Sequence, residues 1–360
     1  MFKEFLFPLV KYFTPFNVFQ YITFRAAYAA VTALLLSFLM GPWVIRQLRI
    51  LKAAQAIRED GPETHLVKSG TPTMGGVMIL FAIVVSVLLW QDLRNMYTWI
   101  MLIAVVGFGA VGFADDILKV TRKNSQGLPA RGKLFGQIFV ASLIAVLLYL
   151  YKTPYTTLLY LPMLKEAVLD MGVLWIPFAI LLQVGFSNAV NLADGLDGLA
   201  TGLVIMVGTA FAALCYLSGR ADYAAYLQIP NLPGAGELAV LCLAYVGASV
   251  GFLWYNTHPA EVMMGDVGSL SLGGVLGVLS LLVKKELLLL IIGGVFVVEA
   301  ASVMIQVAYF KVTKGRRVFL MAPLHHHFEK KGWTEVKVVV RFWILGGLFL
   351  ILGLSTLKIQ

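Results

Sequence analysis

Apolar residues run through this chain in long blocks separated by short polar segments. Ten blocks stand out, at residues 26–45, 75–90, 99–114, 134–150, 173–190, 199–217, 238–254, 267–283, 287–307 and 338–354. A helix needs roughly 20 predominantly apolar residues to cross a bilayer, with a range of about 17–25. The second and third blocks are short and would borrow flanking residues. The blocks are too long for barrel strands, and open sheet edges cannot face lipid, so each is expected to be a helix. The pattern therefore predicts an all-α polytopic membrane bundle of about ten transmembrane helices. No polar stretch is long enough for a separate soluble domain, and residues 1–360 are read as one integral membrane domain.

Composition agrees, with 59% hydrophobic and 13% charged residues against about half and a quarter in a soluble chain. The N-terminus lacks the pattern of a cleaved signal peptide, so the first span is expected to be retained. The net charge of +9 is read as topology, not as a nucleic-acid footprint. Basic residues collect in cytoplasmic loops. Here they gather after the first span (Arg46, Arg49, Lys52, Arg58, Lys68), after the third (Lys119, Arg122, Lys123, Arg131, Lys133) and after the ninth (Lys311 to Arg341). Those three segments share one side, which is the expected cytoplasmic side, and an even number of spans puts both termini outside. Cys215 and Cys242 lie in or near apolar spans, with neither a disulfide framework nor metal-site spacing, and read as packing residues. The pairs Gly75–Gly76, Gly273–Gly274 and Gly293–Gly294 read as close helix contacts.

Candidate chemistry comes from carboxylates at predicted cytoplasmic span ends, where charge near hydrocarbon is costly. The third span closes as Gly112-Phe-Ala-Asp115-Asp116-Ile-Leu-Lys119. A helix C-terminus disfavours negative charge, and pairing with Lys119 at helical spacing only partly relieves two adjacent acids. A divalent cation would resolve the conflict, and magnesium prefers one or two carboxylates plus phosphate oxygens and water. The fifth and sixth spans are joined by Asn188-Ala-Val-Asn191-Leu-Ala-Asp194-Gly-Leu-Asp197-Gly. Its acids stand three apart and could share a helix face, although Asn, Asp and Gly also make ordinary turns. Before the eighth span comes Asn256-Thr-His258-Pro-Ala-Glu261-Val-Met-Met-Gly265-Asp266-Val-Gly-Ser269. Asp266 alone could be a helix N-cap, but beside the other acids a metal ligand is the better reading.

The ninth-to-tenth loop holds Pro323-Leu-His325-His326-His327-Phe-Glu329. Adjacent histidines suit tetrahedral zinc poorly, which leaves phosphate or sugar contacts or proton transfer. Glu299 falls within the ninth span and is either functional or one half of a buried pair. Lys68, Lys119, Lys133, Arg316 and Arg317 surround these acids in the predicted topology. Lys68-Ser-Gly-Thr-Pro-Thr-Met-Gly-Gly76 is glycine-rich but lacks the order of a P-loop. Acids for a cation, bases for phosphates and no nucleophile triad point to phosphoryl-type transfer, which rests on positioning and charge neutralisation. A transporter would also suit intramembrane acids and glycines, but its charges belong at the midplane, not at one face.

Together the motifs Asp60-Gly-Pro-Glu, Lys68 to Gly76, Asp115-Asp116, Asn191 to Gly198, Met264-Gly-Asp-Val-Gly-Ser and Ala322-Pro-Leu-His-His-His-Phe-Glu resemble the phospho-N-acetylmuramoyl-pentapeptide-transferases over nearly the whole chain. The resemblance implies transfer of phospho-MurNAc-pentapeptide from UDP-MurNAc-pentapeptide to undecaprenyl phosphate, giving lipid I and UMP with Mg2+, at the cytoplasmic face of the bacterial inner membrane. A sibling transferase with another UDP-sugar would share the acidic motifs. By the same resemblance Asp266 is a metal ligand, and Asp115 and Asp116 are catalytic, with Asp115 a base toward the lipid phosphate. His325, His326 and His327 match the family's histidine loop. Lys68, Lys133, Asn191, Asp194, Asp197 and Asn256 line the substrate pocket. Met263 stands where relatives carry an aromatic that stacks on uracil, and a thioether can also pack on a ring face. The family is similar in forming homodimers.

Overall fold

The computed structural model describes residues 1–51, 70–122 and 127–357, so Lys68 and the Asp60 motif lie outside the described residues. A short helix α1 (Phe2–Leu6) precedes α2 (Ile22–Ile50), α3 (Gly76–Trp90), α4 (Met96–Arg122), α5 (Ala130–Leu150), α6 (Trp175–Ala193) and α7 (Leu199–Ser218). There follow α8 (Ala221–Leu227), α9 (Leu238–Asn256), α10 (Gly265–Leu282), α11 (Glu286–Ile292), α12 (Gly294–Val312), α13 (Leu324–Lys330) and α14 (Glu335–Ser355). Between α5 and α6, β1 (Leu158–Tyr160) pairs antiparallel with β2 (Ala167–Asp170), an element that the apolar pattern does not signal.

Among the described residues, nine helical segments are long and apolar enough to cross a membrane. The tenth expected span, α3, has 15 residues, about 22 Å of helix at 1.5 Å per residue. The expected ninth span is two helices, because the helix is interrupted at Gly293 between α11 and α12. A Cβ at Gly293 would lie 2.9 Å from the Phe186 ring, and one at Gly294 2.7 Å from the Phe349 ring. The pair thus makes close contacts, as expected, and also interrupts the helix.

At the centre stands α10, whose 16 residues from Val267 to Leu282 are all buried. Small residues admit its neighbours. A Cβ on Gly76 would fall 2.2 Å from the Gly268 nitrogen, one on Gly112 2.1 Å from the Asp266 carbonyl, and one on Gly273 2.4 Å from the Phe186 carbonyl. So α3, α4 and α6 meet α10 backbone to backbone, the close approach that small residues permit between membrane helices. On the outside the order of polarity inverts: Leu39, Leu181, Trp254, Met304 and Ile351 are exposed, which suits lipid and not water. Cys215 and Cys242 are buried as free thiols with sulfurs 3.8 Å apart, in their packing role.

The two ends of the bundle differ. One carries the C-terminus of α4 and the N-terminus of α10. At the other the ammonium of Met1 donates to the Leu88 carbonyl, and Gly353 of α14 packs on Ile292 of α11. Both described ends of the chain therefore lie remote from the acidic motifs. Ion pairs close that remote end. Arg25, wholly buried, donates through both terminal nitrogens to Glu237 at 2.6 Å. Lys3 meets Asp92 at 2.5 Å, and Lys284 pairs with Glu286.

Candidate active site

Helix α4 does not end at Asp115 and Asp116, as the apolar pattern suggested, but runs on to Arg122; the two acids are consecutive and so point around the helix to different partners. Asp115 accepts the Leu128 N–H at 2.7 Å, tying α4 to the segment that leads into α5. Asp116 accepts the Val267 N–H at 3.1 Å, tying α4 to the first turn of α10. The close approach at Gly112 brings these turns together. Asp266 is not an N-cap: it sits inside the first turn of α10, after Met264 in the cap position, and makes no capping bond. Gly265 holds a φ of +74°, a left-handed conformation that a side chain would strain, and this turn delivers Asp266 toward α4. A Cβ there would also press on the Asp116 carboxylate at 2.6 Å.

Asp115, Asp116 and Asp266 offer oxygens within 4.8 Å of one another. Lys119 bridges all three, at 2.6 Å from Asp115, 3.3 Å from Asp116 and 2.8 Å from Asp266. Lys133 from α5 also reaches Asp266 at 2.8 Å. Asn191 of α6 donates to Asp266 at 2.5 Å and to the Ser269 hydroxyl at 2.7 Å. Thus the helical Lys119 pairing exists, and it is part of a larger cluster. Two ammonium groups against three carboxylates leave one negative charge in excess when all are ionised. An all-oxygen donor set with surplus negative charge suits a hard divalent cation.

The asparagine- and aspartate-rich motif divides differently from its spacing. Asn188 and Asn191 belong to α6, whereas Asp194 and Asp197 occupy the turn before α7 and share no helix face. Asn188 donates to Gln137 and back to the Val184 carbonyl. Asp194 is half-buried in that turn. Asp197 is buried, and its carboxylate meets His258 Nδ1 at 3.0 Å and accepts the Ala260 N–H at 3.1 Å. Its own N–H donates to Glu335 at the start of α14. Asp197, His258 and Glu335 so join three segments in a second group. Sequence reasoning missed the roles of Ser269, His258 and Glu335. Ser269 stands inside a quoted motif, but Glu335 is 138 residues from Asp197 and nothing local marks it.

Asn256 is buried and fully engaged: it accepts from the Gly198 N–H at 3.1 Å and the Thr201 hydroxyl at 2.8 Å, and donates to the Val262 carbonyl at 3.0 Å. In this conformation it braces two loops and faces no opening. Met263 is also buried, 3% exposed, with its carbonyl accepting the Gly75 N–H and its N–H donating to Pro72. Both serve here as supports for the loop that ends in Asp266.

The three histidines form part of the short helix α13 and do three different things. His325 is buried against Glu299, Nδ1 to carboxylate 3.3 Å, with its N–H donating to the same group. Glu299 is thus placed beside His325, but its Oε2 and both ring nitrogens of His325 make no hydrogen bond among the described residues, so the two readings of Glu299 are not separated. The His325 ring also packs on Gly195, where a Cβ would lie 2.4 Å from Nε2. This brings the histidine helix onto the Asp194–Asp197 turn. His326 pairs with Glu329 at 2.7 Å. His327 accepts the Leu320 N–H at 3.1 Å, and partial burial followed by the charge of Lys331 holds its pKa below the usual histidine value. That direction keeps the accepting nitrogen unprotonated.

The chain's relatives accord with this geometry. The profile of glycosyl transferase family 4 matches residues 98–284, which carry every carboxylate of the first cluster, and a phospho-N-acetylmuramoyl-pentapeptide-transferase signature matches residues 68–80. A phospho-N-acetylmuramoyl-pentapeptide-transferase of Citrifermentans bemidjiense is 55% identical, one of Thermodesulfovibrio yellowstonii 54% and one of Syntrophus aciditrophicus 51%, each over the full length of both chains. At that identity, over that length, the chain belongs to the phospho-N-acetylmuramoyl-pentapeptide-transferase family.

Proposed function

We propose that this protein transfers phospho-MurNAc-pentapeptide from UDP-MurNAc-pentapeptide to undecaprenyl phosphate at the cytoplasmic face of the bacterial inner membrane. An oxygen of the lipid phosphate attacks the sugar-linked phosphorus. The bond to the bridging oxygen breaks, and the products are UMP and the diphosphate-linked lipid I. The observation that carries this reading is the cluster of Asp115, Asp116 and Asp266 with Lys119 and Lys133 at one end of an apolar bundle. A water-soluble nucleotide can reach that end, and a membrane-bound phosphate can reach it along the lipid-facing helices.

Phosphoryl transfer needs positioning and neutralised charge more than covalent help. Lys119 and Lys133 are placed to exchange a carboxylate partner for phosphate oxygens. Asp266, with the Asp115 and Asp116 oxygens beside it, would hold Mg2+. When bound, the ion would supply Lewis-acid neutralisation of the diphosphate. Asp115 faces the segment entering α5 and would accept a proton from the lipid phosphate where that group arrives singly charged. Asn191 holds Asp266 in place, and the Asp194–Asp197 turn, packed on α13 through Gly195 and His325, would border the nucleotide.

The test is UMP release by detergent-purified protein given both substrates and magnesium. Release only when both substrates and magnesium are present supports the reading. Release from UDP-GlcNAc in place of the muramoyl donor would move the protein to a sibling transferase, and uptake into vesicles with no product would make it a transporter.

A further inference from the structure

A cleft of about 560 Å³ opens at the carboxylate end, between the last turns of α2 and the end of α9. Ile45, Arg46, Arg49, Ile50, Tyr255 and Glu261 line it. Its floor is apolar: the Tyr255 ring is buried and its hydroxyl donates to the Phe38 carbonyl at 2.7 Å. Its rim is charged. Arg46 and Arg49 stand three apart and share a helix face, and Glu261 opposes them from the loop after α9. All three are exposed, and among the described residues none makes an ion pair, although the transfer chemistry above uses none of them.

Below the arginines, Leu35, Leu39 and Trp43 form an exposed apolar stripe at successive turns of α2, 47%, 70% and 60% accessible. Tryptophan favours the headgroup level of a bilayer. The stripe therefore sets the cleft at the height of lipid head groups, with acyl chains able to run down α2. An arginine fork matches phosphate oxygens, while a carboxylate takes an N–H cation. We infer that this cleft binds a phospholipid whose head group carries both a phosphate and a primary ammonium, with phosphate on Arg46 and Arg49 and ammonium on Glu261. The Glu261 N–H donates to the Tyr255 carbonyl at 2.8 Å, so the bound head group rests on the loop that leads to Asp266.

The full-length protein, reconstituted in nanodiscs of equimolar phosphatidylethanolamine, phosphatidylcholine and phosphatidylglycerol, is released into detergent and its retained lipids are counted by native mass spectrometry. Wild type should hold phosphatidylethanolamine about three- to fivefold over phosphatidylcholine, the range set by an exposed ion pair. Glu261→Gln should equalise the two, and the double variant Arg46→Ala with Arg49→Ala should lower retention of both. These side chains are exposed, so a thermal melt without lipid should match wild type. Equal retention of all three lipids, a preference for phosphatidylglycerol, or a preference unchanged in Glu261→Gln would overturn the inference.

Discussion

The two ends of this bundle use the same kinds of charged residue to opposite effect. At the remote end bases match or outnumber the acids they meet: Arg25 and Lys3 share Glu237 and Asp92, and Lys284 pairs with Glu286 beside buried Lys285. Among these groups no acid is in excess, and the Arg25 and Lys284 side chains are almost fully buried. At the carboxylate end three acids share two lysines, and Lys119 keeps 30% of its side chain accessible. A closed pair has nothing left to offer a ligand. A crowded acidic cluster with a surplus charge and an open side does. The first arrangement holds helices together, and the second has the charge and access that the proposed reaction needs.

That contrast can be broken from either side. The largest effect is expected at Asp266→Asn, which removes the charge that Lys119, Lys133 and Asn191 all address. UMP release should fall by about 10²–10³-fold or more, the scale of losing one well-placed electrostatic contact, while the melting temperature stays near wild type. Near-normal turnover would sink the site. At the remote end the pattern should reverse: Arg25→Ala strands Glu237 in a buried place and should cost about 3–5 kcal/mol, read by thermal or denaturant unfolding in detergent, with turnover per folded molecule preserved. A Gly112→Ala change tests the link between packing and site. Its Cβ would meet the Asp266 carbonyl at 2.1 Å and force α4 from α10. A shift of about 1 Å can cost about 10²-fold, so turnover should drop further than stability does.

The smallest effect is a pH dependence at His327. Its folded pKa is below the ordinary value of 6.5, so the neutral form is favoured by folding. That contribution is complete above pH 6.5 and is lost as pH falls through the lower folded value. The melting temperature should decline slightly between pH 7.5 and 5.5, and His327→Ala should flatten that part of the slope. An unchanged slope would mean that burial and Lys331 do not set the charge state of His327.

Much of this molecule could be read along the chain because lipid imposes a one-dimensional rule: a helix that crosses it must be apolar for its whole length. The blocks marked the helices, the glycine pairs marked close contacts, and acids beside hydrocarbon marked Asp115, Asp116 and Asp266 as residues in need of a reason. Local spacing misled where a helix break or a turn intervened. The block 287–307 looks continuous, yet the Phe186 and Phe349 rings occupy the space that side chains at Gly293 and Gly294 would need. Asp194 and Asp197 have helical spacing but lie in a turn.

What only the tertiary structure decided is which distant residues meet. Sequence by itself determined the membrane bundle, the acidic motifs and the class of chemistry, because hydropathy and charge cost are properties of single positions and short windows. Lys119 and Lys133 reaching Asp266, Glu335 receiving Asp197 and Glu299 taking His325 depend on helix ends converging from across the chain. That convergence follows from backbone contact at Gly76, Gly112 and Gly273 around α10. The roles of Asn256 and Met263 as buried braces were decided in the same way, since burial is set by neighbours that no local pattern names.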